Sequence, residues 1–337
     1  MRANTIFLGL CLMVNLTFGQ KSKESDSTAI LSYVDKIIIK VNLDTQTDAY
    51  RVYDRSTNTR LELVPNSSLR IDLSLDYEFM GASIGFSPKF LPGNDDDAIK
   101  GKSSFTDYRF RFFLGNWTQE VQYASTQGYY VENTGDFLPN WIEGEDAYLQ
   151  FPEFRVRRWG GSTSYVLNPK FSLRNVVYQT EWQRKSAGSF VPTINYSYNR
   201  FSNLVEGSKM VENAIDVQLA ASYYFTWAVH QNWFISQYIS PGLGMRFSAY
   251  EEEAATDLIE RNNHLIATLD GGMQLGYSSR KVIFGLNMNF DFNWYNEDKT
   301  TSVVNNKLYG KLYFGYRFNA PKMVQKPFNW MNKKLGQ

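Results

Sequence analysis

Between Val282 and Trp294 every second residue is large and apolar: Val282, Phe284, Leu286, Met288, Phe290, Phe292 and Trp294. Ile283, Gly285, Asn287, Asn289, Asp291 and Asn293 lie between them. A strict period of two puts one set on each face of a strand, whereas a helix would spread both sets around its circumference. At about 3.3 Å per residue the stretch is roughly 40 Å long. Tilted by about 40° it covers roughly 30 Å, the hydrocarbon thickness of a bilayer. Soluble strands are mostly about five or six residues long.

The same alternation recurs along the chain. Leu69, Ile71, Leu73, Leu75 and Tyr77 alternate with Arg70, Asp72, Ser74 and Asp76, and a short connection leads into Met80 to Phe90. Strands are predicted over Phe105 to Leu114, Gln119 to Tyr130, Ser162 to Leu167, Phe171 to Trp182 and Phe190 to Phe201. Ile215 to Trp227, Trp233 to Tyr250, Leu265 to Tyr277 and Leu308 to Phe318 complete the series with the opening stretch. Polar loops over Leu91 to Lys102, Asn133 to Pro152, Glu251 to Asn262 and Asn296 to Thr301 alternate with tight turns such as Ser278-Ser279-Arg280. The pattern predicts an all-β, antiparallel up-and-down barrel of about 12 strands, range about 10–14, with parity imperfect near Asn168.

Alternation alone does not say which face points outward, since a soluble lipocalin-type barrel turns its oily face inward. Strand length favours a membrane. So does the polar face, which carries Asn, Asp, Lys, Arg and Gly. So do the aromatics near strand ends: Trp117, Trp227, Trp233, Tyr250, Tyr277, Trp294 and Phe318. No segment approaches the 18 consecutive apolar residues of a spanning helix, so a membrane form must be a closed barrel.

The first residues read as a secretory signal over 1–19. Arg2 precedes the apolar run Ile6 to Phe18, and Thr17 and Gly19 stand at −3 and −1 for cleavage before Gln20. The only cysteine, Cys11, lies inside that run, so the mature chain has no disulfide or thiol chemistry. The remaining organisation is a 20–66 periplasmic segment with a candidate strand near Asp35 to Tyr53, a barrel over 67–318, and a periplasmic tail over 319–337. The expected location is the outer membrane of a Gram-negative bacterium. The expected partners are the lipid bilayer, the outer-membrane assembly machinery and periplasmic proteins. A net charge of +1 with no basic run argues against nucleic acid.

Three stretches resemble a family of outer-membrane barrels from Bacteroidetes-type bacteria known as domain of unknown function 4421. They are Gly85 to Asn94 (GFSPKFLPGN), Gln183 to Phe190 (QRKSAGSF) and Ser240 to Gly244 (SPGLG). The resemblance implies an exported barrel and no particular activity. One departure from barrel habit is the tail of nineteen residues after Phe318, which includes Lys322, Lys326, Trp330, Lys333 and Lys334.

Candidate chemistry is sparse. There are two histidines, His230 in a short turn and His264 at a loop-side strand end beside Glu251-Glu252-Glu253. A rim hydrolase would need His264 as its base, within hydrogen-bond reach of a hydroxyl nucleophile; no enzyme is expected. Asp95-Asp96-Asp97 offers oxygen ligands for Ca²⁺ without EF-hand spacing, and Lys100 and Lys102 stand by to neutralise it. No metal or other cofactor is expected. The expected lumen lining is Asp216, Gln218, Asp270, Gln274, Asn287, Asn289, Asp291, Asn293, Lys311 and Arg317. Tyr224, Tyr238, Tyr309 and Tyr313 share the inward phase and predict a partly filled lumen. The function expected first is passage or binding of small solutes. The alternatives are a closed structural or interaction barrel and the His264 hydrolase.

Overall fold

The computed structural model describes residues 29–335, except 34, 206, 231, 253–258 and 297–300. The expected signal segment lies outside these residues. Sixteen strands follow in chain order: β1 (Ile30–Ser32), β2 (Lys36–Asp44), β3 (Tyr50–Asp54), β4 (Thr59–Val64), β5 (Arg70–Tyr77), β6 (Met80–Phe86), β7 (Ser104–Leu114), β8 (Trp117–Val131), β9 (Gln150–Tyr165), β10 (Glu181–Gln183), β11 (Ala187–Val205), β12 (Ser208–His230), β13 (Trp233–Glu252), β14 (Ile259–Ser278), β15 (Val282–Asn296) and β16 (Thr301–Asn319). Twelve of them pair antiparallel in chain order, β2-β5-β6-β7-β8-β9-β11-β12-β13-β14-β15-β16, and β16 pairs back onto β2 to close the barrel. Closure pairs both edges of the twelve-stranded wall, which is the condition for a sheet to face lipid.

The expected strand count is met, but by a different set. The wall begins at Lys36 rather than at 67: β2 pairs with β16 from Ile37↔Phe318 to Asp44↔Lys311. The run Ile37-Ile38-Ile39 hides the period of two there, because Ile38 faces inward among Lys36, Lys40 and Asn42. In compensation, Phe171 to Trp182 is not a wall strand. It forms a π-helical turn, Arg174–Tyr178, and the short β10. These two corrections also restore the parity.

Outward positions are apolar and exposed, among them Leu219 on β12, Leu243 on β13, Leu265 on β14, Leu286 on β15 and Leu308 on β16. An apolar belt running round a closed barrel is the surface a bilayer requires. Trp117, Trp233, Tyr250 and Trp294 are exposed on it.

The two ends differ. At the terminal end, β2 starts, β16 finishes, and the turns at Glu78-Phe79 and Gly115-Asn116 are tight. At the loop end lie the long connections 87–103 and 132–149. There β3 and β4 form a hairpin between β16 and β8, filling the sector where β2, β5, β6 and β7 are short. The 45–64 stretch therefore sits opposite the termini, not beside them. The tail does not hang free either, since Lys322–Leu335 is a helix whose Val324 and Phe328 pack against Ile37 and Tyr77.

Candidate functional site

The interior is built from the inward half of the alternation, and glycines make room for its largest groups. Gly81 on β6 lies between Asp76 on β5 and Arg111 on β7 in the register. A Cβ there would overlap the Asp76 carboxylate. Its absence lets Arg111 reach across β6 to Asp76 at 3.2 Å, while Lys40 approaches the same carboxylate at 3.4 Å. All three side chains are buried. Likewise Gly285 lies under the Tyr313 ring.

The connection from β9 to β11, residues 166–186, turns inward at the terminal end and plugs the lumen. Phe171, Leu173 and Val176 pack with Val166 and Val191 into a small apolar core. Gln183, fully buried, organises the plug from within. Its side-chain oxygen accepts from the Ser172 amide at 2.8 Å, and its amide nitrogen donates to the Lys170 and Lys185 carbonyls at 2.8 Å each. The wall then grips the plug. Lys40 donates to the Tyr178 carbonyl and to Gln179 Oε1. Arg174 donates to the Glu78 carbonyl at 2.8 Å and lies over the Phe113 ring. β1 pairs with β10, so the N-terminal segment is stitched to the plug edge.

Above the plug is a cavity of about 240 Å³, far more than the ~10–15 Å³ a single water needs. Its floor is Val176 to Gln179. Its walls include Lys40, Asp72, Arg109, Arg111, Glu120 and Lys311, together with Tyr224, Tyr238, Tyr309 and Tyr313. Gln274 and Asn287 also face it, and their side-chain carbonyl oxygens are buried without a hydrogen-bond partner among the described residues. Arg109 and Tyr309 separate it from a second cavity of about 200 Å³ toward the loop end. The β2–β3 connection dips into that outer space. Its Asp48 bridges Arg70 at 3.2 Å and Lys307 at 3.1 Å and accepts from Thr126 Oγ1 at 3.1 Å.

One sequence-family model matches residues 24–318. The chain belongs to the family of domain of unknown function DUF4421. No curated protein matches the sequence. Solved structures similar to it include the β domain of the Bordetella autotransporter BrkA, 10% identical, with 85% of this chain and 100% of that one covered and a TM-score of 0.39. The outer-membrane protein OmpT of Vibrio cholerae is 8% identical, with coverages of 88% and 99% and a TM-score of 0.32. The toluene transporter TodX of Pseudomonas putida is 10% identical, with coverages of 85% and 90% and a TM-score of 0.29.

Two of the stretches that resemble DUF4421 have a physical role in this member. Gln183 opens one of them and holds the plug together. Asn94 closes another, donating to the Leu69 and Pro88 carbonyls at 2.8 and 3.0 Å and so fastening the β6–β7 loop.

The structure distributes the sequence-derived site residues among several places. Gln274, Asn287, Asn289 and Lys311 line the larger cavity, and Lys311 pairs with Asp44 at 3.2 Å. Asp291 lines the outer cavity and stands opposite Asp270 in the β14–β15 register. Asp216 accepts two bonds from Arg246, at 2.7 and 2.8 Å, and one from Asn199. Gln218 bonds Thr268, and Asn293 stands opposite Thr268 and Asn305. Arg317 is sealed beneath the plug. Its guanidinium lies 4.1 Å from the Tyr33 ring centre and lines neither cavity. Lys40, Arg109, Arg111 and Asp72 were missed as a group, although Asp107-x-Arg109-x-Arg111 and Asp72-x-Ser74-x-Asp76 carry the inward period.

His264 is buried, with Nε2 3.4 Å from Ser248 Oγ. Directly opposite it in the register stands Arg246, a cation where a triad needs a carboxylate. In the 95–97 loop Asp96 pairs with Lys100 at 2.8 Å and Asp97 with Lys89.

Proposed function

We propose that the protein is a non-enzymatic outer-membrane barrel that holds a small polar solute in its lumen, with passage toward the periplasm shut by its own 166–186 plug. The terminal end is then periplasmic, as the short turns and both termini favour, and the loop end faces outward. The observation that carries the reading is the cavity above the plug. It is lined by charged, amide and phenolic groups, and Gln274 and Asn287 present buried acceptor oxygens that no donor among the described residues satisfies. A donor-bearing polar solute satisfies them, and an apolar one leaves them unpaired. The cations around the cavity are matched by Asp44, Asp76 and Asp107, so the interior favours neutral or zwitterionic solutes over strongly charged ones.

The test is solute flux into vesicles carrying the refolded protein, with and without the plug, its residues 171–183 replaced by a short Gly-Ser turn. Wild type should be nearly tight, and the plug-deleted barrel should admit small polar solutes. Large steady conductance in the wild type would sink the plugged reading, and a plug-deleted barrel that admits nothing would sink the solute reading.

A further inference from the structure

We propose that the C-terminal helix is an interfacial anchor that seats the barrel on an anionic phospholipid leaflet at the terminal end. The inference rests on the bilayer-spanning barrel and not on the solute reading. Its first support is the side of the wall on which the helix docks. Phe318, Ile37 and Tyr77 belong to the outward phase of their strands, with Phe314, Ile39 and Leu75. They form one row across β16, β2 and β5, because Phe318 pairs with Ile37 and Ile38 with Asp76. Ile39 and Leu75 are 45% and 49% exposed, but Ile37 and Tyr77 only 6% and 4%. The cover is the helix: Val324 and Phe328 pack there, and the Phe328 ring lies 4.7 Å from Tyr77 and 5.5 Å from Phe79. The helix therefore lies on the lipid side of the rim, in line with the apolar belt.

The second support is the face it leaves open. At about 100° per residue, Val324, Phe328 and Met331 fall within about 60° of each other on the docked side. Met323, Pro327 and Trp330 fall within another arc of about 60° next to it. Met323 is 85% exposed and Trp330 58%. Lys322 and Lys326 flank that second stripe and are exposed, and the helix contains no acidic residue. An apolar stripe with an aromatic and a one-sign basic flank, held parallel to an existing lipid-facing wall, has the chemistry of a helix lying in the headgroup region. The apolar stripe enters the acyl boundary, and the lysines meet phosphate-bearing headgroups.

The experiment uses the full mature chain, which has no cysteine of its own once the segment holding Cys11 is removed. A nitroxide is placed at Met323→Cys and, separately, at Asn329→Cys. Its accessibility to oxygen and to a water-soluble nickel chelate is read in phosphatidylcholine bilayers with and without phosphatidylglycerol. Heat-dependent gel mobility confirms that each variant is folded. The label at 323 should favour oxygen, at a depth of about 5–10 Å, while that at 329 favours nickel. The double substitution Lys322→Glu and Lys326→Glu should move the 323 label toward water when phosphatidylglycerol is present. A 323 label as wet as the one at 329 overturns the anchor and leaves the stripe for a soluble protein or a second copy. A 323 label indifferent to phosphatidylglycerol and to the lysine substitutions overturns the anionic recognition.

Discussion

The guanidinium of Arg317, on the last strand of the barrel, donates to the backbone carbonyl of Gln179 at 2.9 Å across 138 residues of sequence. It also bonds the Ser279 carbonyl and Ser278 Oγ, so one buried side chain joins the plug, the β14–β15 turn and the closing strand. Gln179 offers that carbonyl from a left-handed backbone, at φ 56°.

Replacing Arg317 with Met should loosen the plug more than the wall. Charged hydrogen bonds contribute roughly 1.5–3 kcal/mol each, so amide exchange within 174–183 should accelerate by on the order of ten- to a hundred-fold. Exchange in β12 and β13 should be nearly unchanged. Hydrogen exchange with mass spectrometry in detergent or nanodiscs reads both regions at once, and an equal loss in both would remove the special role of this contact.

Gln183→Ala leaves the Ser172 amide and two plug carbonyls without partners. A cost of about 1–3 kcal/mol is expected, local to 166–186, and visible as new protease cleavage there. Unchanged cleavage would mean that β1 pairing, rather than Gln183, holds the plug.

Asp76 serves two cations and Lys40 only one carboxylate. Asp76→Asn leaves both Lys40 and Arg111 buried beside a neutral group, whereas Lys40→Met leaves Asp76 with Arg111. Removing one partner of a buried pair costs about 3–5 kcal/mol, so Asp76→Asn should lower the urea midpoint in vesicles more than Lys40→Met does. The reverse order would show that the Lys40 bond to the Tyr178 carbonyl dominates.

Gly81→Ala should disturb the same cluster without removing a charge. The added methyl overlaps the Asp76 carboxylate, and overpacking of this kind costs about 1–3 kcal/mol. Combining Gly81→Ala with Asp76→Ser should be less damaging than the sum of the two, and strict additivity would argue against the overlap.

Leu243 points outward near the middle of β13, and Asn287 points into the cavity from β15. Leu243→Arg should cost about 2–4 kcal/mol and cut the fraction that refolds in lipid, because the charge faces acyl chains. Asn287→Arg should refold well and keep its heat-dependent gel mobility. Equal tolerance of both would contradict a lipid-facing belt.

The wall was legible in the sequence because its cause is local. Successive residues of a strand point to opposite sides, so the run from Val282 to Trp294 declares its two faces whatever the chain does elsewhere, and Gln274, Asn287 and Asn289 share the phase that the cavity uses. The plug was not legible for the opposite reason. Phe171 to Trp182 carries enough β-branched and aromatic residues to read as a strand, and nothing within it reports that Lys40 and Arg317 wait to satisfy the Tyr178 and Gln179 carbonyls. β2 completes the contrast, since its Ile37 and Ile39 face outward on either side of an inward Ile38, and Ile37 is buried by Ala320, Val324 and Phe328 near the other terminus. Period and polarity determined the barrel. Only closure of the barrel, which brings residues more than a hundred positions apart to one mouth, decided what fills it.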